Sequence, residues 1–161
     1  MNGGPKKSEG PCMALGTEVW KRGTKMATVV IDLEAPIVPG LGAAGITLGQ
    51  VPENLPHPIS TTHLKDSDLL EYPSVTIWVK DGVVCQIGVR AGYRGKLDGV
   101  LSIGSTIADV IELLGDVTED DCDNLVVTGR PGWCFETAEW RNGHTVELNL
   151  EARITEIFVH P

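Results

Sequence analysis

The segment VTIWVKDGVVCQIGVR, residues 75–90, decides the fold because two β-type runs flank a tight-turn signal. Val75 to Lys80 alternates between apolar and polar positions and is rich in β-branched residues, which is typical of a strand. Asp81-Gly82 favours a two-residue hairpin, since both central turn positions can require a positive φ. Val83 to Arg90 supplies the return strand. The segment therefore predicts an antiparallel hairpin in a mainly β domain.

Further strands are predicted wherever short apolar or β-branched runs lie between turn residues. Asn142-Gly143 marks a second hairpin, whereas residues 35–45 and 52–74 are interrupted by prolines and predict irregular chain. Within the second irregular stretch, Leu64 to Leu70 suits a short helix. The predicted strands cover residues 26–34, 99–103, 125–128, 133–140, 144–150 and 153–159.

One helix is predicted over Ser105 to Leu114. Ser105 or Thr106 can cap its free N–H groups. The apolar residues recur at the helical spacing i, i+3, i+4 and i+7, and they are Ile107, Val110, Ile111 and Leu114. Gly115 suits the left-handed position that often ends a helix.

Length and composition indicate one globular domain. The chain has 161 residues, of which 42% are hydrophobic, and its 19 glycines and 10 prolines favour short strands over long helices. Residues 1–25 are predicted to be a flexible tail, and residues 26–161 a single α+β domain with a curved, mainly antiparallel sheet and one or two short helices.

Charge narrows the class of partner. The net charge is −9, and the chain beyond residue 25 carries 8 basic and 20 acidic side chains. Such a domain is repelled by nucleic-acid phosphates, so nucleic acid is not an expected partner. Solubility alone explains acidity, and a basic protein partner is the functional alternative.

The four cysteines indicate a cytoplasmic protein with reduced thiols. Cys12, Cys85, Cys122 and Cys134 form no C-x-x-C pair and are sparse for a disulfide scaffold. Signal-peptide and membrane-helix patterns are both missing from the sequence. We therefore expect no association with a membrane.

A weak duplication runs through the domain. Residues 45–55 parallel residues 101–110, with an apolar pair before Gly49 or Gly104 and a helical start after it. Residues 84–89 likewise parallel residues 154–159. This pattern predicts two related halves, 26–97 and 98–161, although alternating strands also resemble one another by chance.

The second half resembles the small bacterial SmpA/OmlA-like units. The resemblance covers residues 99–159 and, more faintly, residues 45–89. Within 99–159 the matching residues are Ile103-Gly104-Ser105-Thr106, Asp109-Val110, Leu114-Gly115, Gly132-Trp133-Cys134-Phe135 and Ile154-Thr155-Glu156-Ile157. The resemblance implies a non-catalytic scaffold or interaction unit. Asp116 replaces the family's proline after Leu-Gly and the lipoprotein signal is missing, so no membrane role is implied.

Candidate ligand-binding residues come from two patterns. Residues 90–96 place Arg90, Arg94 and a third cation around Tyr93 in flexible chain, which suits an anion or a partner contact, or an ordinary connecting loop. Trp78 and Trp133 fall in predicted strands, where they either pack in the core or line a pocket on an open sheet face.

Other clusters offer little chemistry. His57 and His63 are weak metal-ligand candidates because their loop has no recognised ligand spacing. The acidic run 119–124 lacks calcium-loop spacing and suits either a solvated loop or an acidic contact for a basic partner. No catalytic residue or cofactor is predicted, since Cys134 lacks the electropositive setting of a reactive thiolate.

Three functions fit this sequence. The first is a non-catalytic protein-binding module of the inhibitor or immunity type. The second is a small-molecule binder or minor enzyme with a tryptophan-lined sheet cavity, for a small anionic or aromatic ligand. The third is self-association as a homodimer, because exposed strand edges pair readily.

Overall fold

The computed structural model describes residues 28–139 and 147–161. This part of the chain contains ten strands, one α-helix and one short 3₁₀ helix at Pro52–Asn54. The strands are β1 Gly42–Ala43, β2 Ile46–Thr47, β3 Ser60–His63, β4 Asp68–Tyr72, β5 Val75–Lys80, β6 Val83–Arg90, β7 Val117–Glu119, β8 Leu125–Val127, β9 Trp133–Thr137 and β10 Ile154–Val159. The helix α1 spans Ile107–Leu114.

Eight of these strands form one sheet in the order β3-β4-β5-β6-β10-β9-β8-β7. Every neighbouring pair is antiparallel, which confirms the predicted mainly antiparallel sheet with a helix. Two meanders of consecutive strands, β3 to β6 and β7 to β10, meet where β6 pairs with β10. The β1–β2 hairpin forms a separate two-stranded sheet.

The predicted hairpin at Asp81-Gly82 is confirmed. Asp81 has φ 52° and Gly82 has φ 79°, the conformation that a two-residue turn of this kind requires. Strands β5 and β6 on either side have the bounds expected from the sequence, with one irregularity in register between Trp78 and Val79.

One face of the eight-stranded sheet, the covered face, carries the core. Every second side chain along each strand points to this face. These side chains pack with Ile107 and Val110 of α1 and with Ala43 and Ile46 of the β1–β2 hairpin. The buried side chains of this face include Val75, Ile77, Ile87, Val89, Leu125, Val127, Trp133, Phe135, Ile157 and Val159. Since strand side chains alternate, the residues between these positions project from the opposite face, the open face.

Helix α1 begins two residues later than predicted and is capped by Thr106 rather than Ser105. The Asp109 amide donates to Thr106 Oγ1 at 3.1 Å, and the Thr106 amide donates to Asp109 Oδ2 at 2.7 Å. This reciprocal pair is a capping box. Gly115 ends the helix with φ 115° and ψ −168°, outside the left-handed helical region that the sequence suggested.

The helix predicted over Leu64 to Leu70 is wrong, because strand β4 begins at Asp68. Leu69 pairs with Trp78 and Leu70 with Ile77, so ladder hydrogen bonds to β5 outweigh a weak local helical preference. Strands β3 and β4 also replace part of the irregular chain predicted for residues 52–74.

The strand predicted over residues 26–34 is wrong for its described part. Residues 28–32 form no strand, and a turn occupies Leu33 to Ala35. Single hydrogen bonds hold this segment instead, such as Asp32 N–H to the Ala44 carbonyl at 3.0 Å. Val29, Ile31 and Leu33 pack on the core without a partner strand, whereas Val30 is exposed.

Smaller differences concern strand ends. The strand predicted over 99–103 is reduced to an isolated bridge between Leu97 and Leu101, and β7 was not predicted. Strand β9 ends at Thr137, and residues 147–150 form no strand. Residues 1–25, Trp140 and the predicted hairpin at Asn142-Gly143 lie outside the described residues.

Two segments of the chain make the same pattern of backbone hydrogen bonds. The segment before the 3₁₀ helix bonds to β6, and the segment before α1 bonds to β10. Gly49 N–H donates to the Val84 carbonyl at 2.7 Å, and Val84 N–H donates to Gln50 at 2.9 Å. Gly104 N–H donates to the Ile154 carbonyl at 2.9 Å, and Ile154 N–H donates to Ser105 at 2.8 Å. The start of β6 and the start of β10 are therefore held in the same way.

We predict that Thr106→Ala lowers the free energy of unfolding by about 1 kcal/mol, because it removes the acceptor that caps α1. Thr106→Ser keeps a hydroxyl and should retain most of this stability. Urea unfolding followed by circular dichroism measures both variants. Equal losses in the two variants would contradict the assignment of the cap to this hydroxyl.

Candidate functional site

Two aromatic side chains lie at the centre of the open face. The rings of Trp78 on β5 and Phe158 on β10 are 5.8 Å apart between centroids and meet edge to face at 68°. Gly88 lies between them on β6, and a Cβ there would come within 3.2 Å of two Phe158 ring carbons. A larger residue at 88 would therefore displace this ring. Trp78 stays partly exposed to solvent.

Charged side chains continue this face on both sides of the aromatic pair. Arg90 pairs with Glu71 at 3.8 Å between nitrogen and oxygen, and Ser60 donates a hydrogen bond to the same carboxylate. In register, Glu156 lies opposite Arg90 on one side and Glu136 on the other. Two carboxylates thus face each other across neighbouring strands, an arrangement that repulsion disfavours.

The pKa of the Glu156 carboxyl is raised above its ordinary value of 4.5. Burial is the main cause, the Arg90 guanidinium opposes it by lowering the pKa, and the Glu136 carboxylate raises it further. The charged form of Glu156 is therefore disfavoured in the folded protein relative to water.

A depression of about 440 Å³ opens beside the aromatic pair. It runs from Trp78 across β10 and β9 to the turn between β7 and β8. Carboxylates, aromatic rings and other polar groups all line it, and the lining residues are Trp78, Gln86, Asp120, Cys122, Asn124, Cys134, Glu136, Phe158 and His160.

Asp120 organises the turn at one end of this depression. Its Oδ1 accepts hydrogen bonds from the amides of Cys122 at 2.8 Å and Asn124 at 2.9 Å. Burial raises the pKa of the Asp120 carboxyl, but these hydrogen bonds outweigh it and the pKa is lowered. The acidic run therefore includes a hydrogen-bonded turn with an ionised carboxylate.

Cys134 lies at the base of the depression and is 4% exposed. Burial, followed by the charges of Asp120 and Glu136, raises the pKa of its thiol to about 12. The thiol is therefore protonated at neutral pH, and a protonated thiol is a poor nucleophile.

The predicted ligand-binding residues do not form one site. Trp78 and Arg90 share the open face, whereas Trp133 projects from the covered face, where it is 1% exposed and stacked on Phe135 with 5.6 Å between ring centroids. The two tryptophans therefore lie on opposite sides of the sheet and cannot line one cavity.

Tyr93 and Arg94 lie in the connection after β6. The Tyr93 hydroxyl donates to the Ala35 carbonyl at 2.7 Å and accepts from the Ala44 amide at 2.9 Å, so it ties two covering loops together. Arg94 pairs with Glu34 at 2.7 Å at an exposed position. Both residues have structural partners within this chain.

The two histidine candidates remain separate from any metal-ligand cluster. His57 is exposed, and the exposed ring of His63 pairs with Asp68 at 2.7 Å. Within residues 28–139 and 147–161, no group of three or more His, Cys, Asp or Glu side chains is placed to hold a metal ion.

Sequence reasoning missed Gly88, Glu136, Glu156 and Phe158 as site residues. Alternation within β6, β9 and β10 places each of them on the face opposite the core, which was visible in the sequence. Their proximity was not visible, because it depends on β10 lying between β6 and β9.

Comparisons with known proteins show a structural likeness but no match by sequence. No family model and no curated protein matches this chain. The crystal structure of the uncharacterized protein YfeY from Escherichia coli is similar at a TM-score of 0.42 and 15% sequence identity, over 63% of this chain and 79% of that chain. In the described part of the chain, no helix has both the length and the apolarity needed to cross a membrane.

We predict that replacing Glu156 by Gln changes stability in a pH-dependent way. Because its folded pKa is raised, wild-type protein binds a proton more readily when folded, and this stabilisation is present below pH 4.5 and lost as pH rises through the folded pKa. The Gln variant should therefore gain stability relative to wild type between pH 4.5 and pH 7.

Urea unfolding at several pH values across this window measures the difference. Glu136→Gln serves as the second variant, because it removes a charge that raises the pKa of Glu156 and should reduce the pH dependence of the otherwise wild-type protein. A difference between Glu156→Gln and wild type that stays constant with pH would contradict the prediction.

Proposed function

We propose that this protein is a non-catalytic protein-binding module of the inhibitor or immunity type, and that its partner docks on the open face. The observation that carries this proposal is a broad sheet face with a partly exposed tryptophan at its centre. In the described chain, α1 and the β1–β2 hairpin pack on the covered face. On the opposite face, Trp78 and Arg90 are partly exposed and Glu136 is exposed, which supports docking there, whereas Cys134 and Phe158 are buried.

The dimensions of the open face suit a protein partner. Eight strands spaced about 4.8 Å apart span about 34 Å, and five residues at about 3.3 Å extend about 16 Å. The resulting area of roughly 550 Å² is of the same order as the ~800 Å² that each partner of a standard complex buries.

The residue types at its centre are those that dominate binding energy in protein interfaces. Tryptophan and arginine are enriched among such residues, and Trp78 and Arg90 both project from this face with partial exposure. Acidic side chains surround them, which supports a partner with a basic surface.

The chemistry of this face supports binding rather than catalysis. The Cys134 thiol is protonated at neutral pH, and the Asp120 carboxylate is held by hydrogen bonds of its own turn. Three free cysteines within the described residues, Cys85, Cys122 and Cys134, are compatible with the cytoplasmic location that we include in this proposal.

We also propose that the protein consists of two related halves, residues 26–97 and 98–161. The matching hydrogen bonds of Gly49 with Val84 and of Gly104 with Ile154 support this relation. So does the order of the elements, since each half has a helical segment followed by a four-stranded meander. The SmpA/OmlA-like resemblance of residues 99–159 belongs to the same proposal.

A small ligand is the second candidate occupant, favoured by the depression beside Trp78. Its volume of about 440 Å³ is within the range of small-molecule sites. Its carboxylates disfavour the anionic ligand considered from the sequence, so an aromatic or cationic compound suits it better. Self-association is the third candidate, through the outer edges of β3 or β7.

The test begins with a photo-crosslinking amino acid at Leu69, which lies beside Trp78 on the open face. Glu112, exposed on α1, takes the same label as the matched control. In the cells of origin, we expect a protein adduct from position 69 and none from position 112. An adduct with a second copy of this chain, or adducts from 112 alone, would contradict the proposal.

The captured protein is then purified and titrated calorimetrically against wild type and variants. We predict that Trp78→Ala weakens binding at least tenfold, since it removes a central aromatic anchor. Glu112→Gln should leave binding unchanged within twofold, and circular dichroism checks that both variants fold. Unchanged binding by folded Trp78→Ala would refute docking on this face.

A further inference from the structure

The depression on the open face combines an aromatic wall with an acidic wall. Trp78 and Phe158 form the aromatic side, where their rings meet edge to face and the Trp78 side chain is partly exposed. Glu136 and Asp120 contribute the carboxylates on the opposite side, from β9 and from the turn after β7. A long cationic side chain satisfies both walls, because its apolar stem packs on aromatic rings and its charge pairs with a carboxylate.

Among the residues that the structure describes, the negative charge in this region exceeds what nearby cations neutralise. Arg90 lies 3.8 Å from Glu71 and also acts on Glu156, so one guanidinium serves two carboxylates. Glu136 is exposed, and within residues 28–139 and 147–161 its carboxylate makes no ion pair. His160 lines the same depression but acts on Asp120.

The buried Cys134 thiol and the half-buried Glu156 carboxyl both respond to this negative charge. Besides burial, the charges of Asp120 and Glu136 raise the pKa of the Cys134 thiol. Besides burial, Glu136 also raises the pKa of Glu156, although Arg90 opposes this. A cation placed beside Glu136 relieves this repulsion, which the fold by itself leaves in place.

We infer that the depression bounded by Trp78, Phe158 and Glu136 receives an arginine side chain of the partner protein. The guanidinium pairs with the Glu136 carboxylate, and the methylene stem of the arginine packs on the aromatic pair, since Phe158 lies between Trp78 and Glu136 in the strand register. Arginine is preferred to lysine because its planar group forms two parallel hydrogen bonds with a carboxylate. The inference rests on the proposed function and specifies the partner's chemistry.

Charge complementarity identifies this occupant over an apolar one. The chain carries a net charge of −9, and the carboxylates of the depression lie where an apolar side chain would leave them desolvated and unpaired. A basic partner gains attraction during approach and neutralises Glu136 on docking.

The test uses acetyl-Gly-Arg-Gly-amide as the probe and its citrulline counterpart as the neutral, nearly isosteric control. Titrations of isotope-labelled full-length protein are followed by NMR. We expect the arginine peptide to give saturable shifts at the Trp78 indole N–H and the Glu136 amide. The citrulline peptide should bind at least tenfold more weakly. Equal binding of both peptides would overturn the inference.

Variants test whether the guanidinium of the peptide lies beside Glu136. Glu136→Gln should weaken the arginine peptide at least threefold, whereas Glu112→Gln, an exposed helix residue of the same type, should not. Added salt should weaken binding to wild type more than to Glu136→Gln, because a charge pair is screened. Binding that is insensitive to Glu136→Gln would refute the placement of the guanidinium.

The calorimetric assay with the captured partner distinguishes protein binding on the open face from arginine binding in the depression. If Trp78→Ala abolishes partner binding while Glu136→Gln leaves it unchanged, the open face binds a protein but this depression takes no arginine from it. If the peptide binds as expected and position 69 captures no protein, the cation site stands and the proposed function fails.

Discussion

The pairing of β6 with β10 is the interaction on which this architecture depends. It joins two four-stranded meanders into one eight-stranded sheet, through a register that sets Gly88 against Phe158 and Arg90 against Glu156. Without this seam, each meander would expose a strand edge with unpaired backbone N–H and C=O groups and would have a narrower core. With it, side chains from both meanders contribute to one continuous core on the covered face and to one continuous open face.

The two faces of the sheet differ in how their aromatic side chains are buried. Trp133 and Phe135 stack within the core, and Tyr93 holds the covering loops through two hydrogen bonds. Trp78, of the same residue type as Trp133, projects on the other side and is partly solvated. Solvent and Arg90 weaken the repulsion between Glu136 and Glu156 on that side. The packed core offsets the stability that the remaining repulsion removes.

Local signals were sufficient for some elements and insufficient for others. The hairpin at Asp81-Gly82 and helix α1 were predictable because turn residues and capping residues act within a few positions. Leu69 and Leu70 were assigned to a helix because only their pairing with β5 reveals a strand. The candidate site was only partly predictable: Trp78 and Arg90 were identified, but which face each tryptophan occupies depends on strand partners distant in sequence.

The contact of Phe158 with Gly88 also bears on the order in which the strands pair during folding. Most consecutive strands within a meander pair through short connections, so these contacts form early at small entropic cost, whereas residues 138–153 separate β9 from β10. The seam joins segments far apart in the chain and should close late. If β10 slipped by two residues along β6, the Phe158 ring would lie against Gln86 or Arg90 instead of Gly88. The pairing of a large ring with a glycine therefore favours one register between the two meanders.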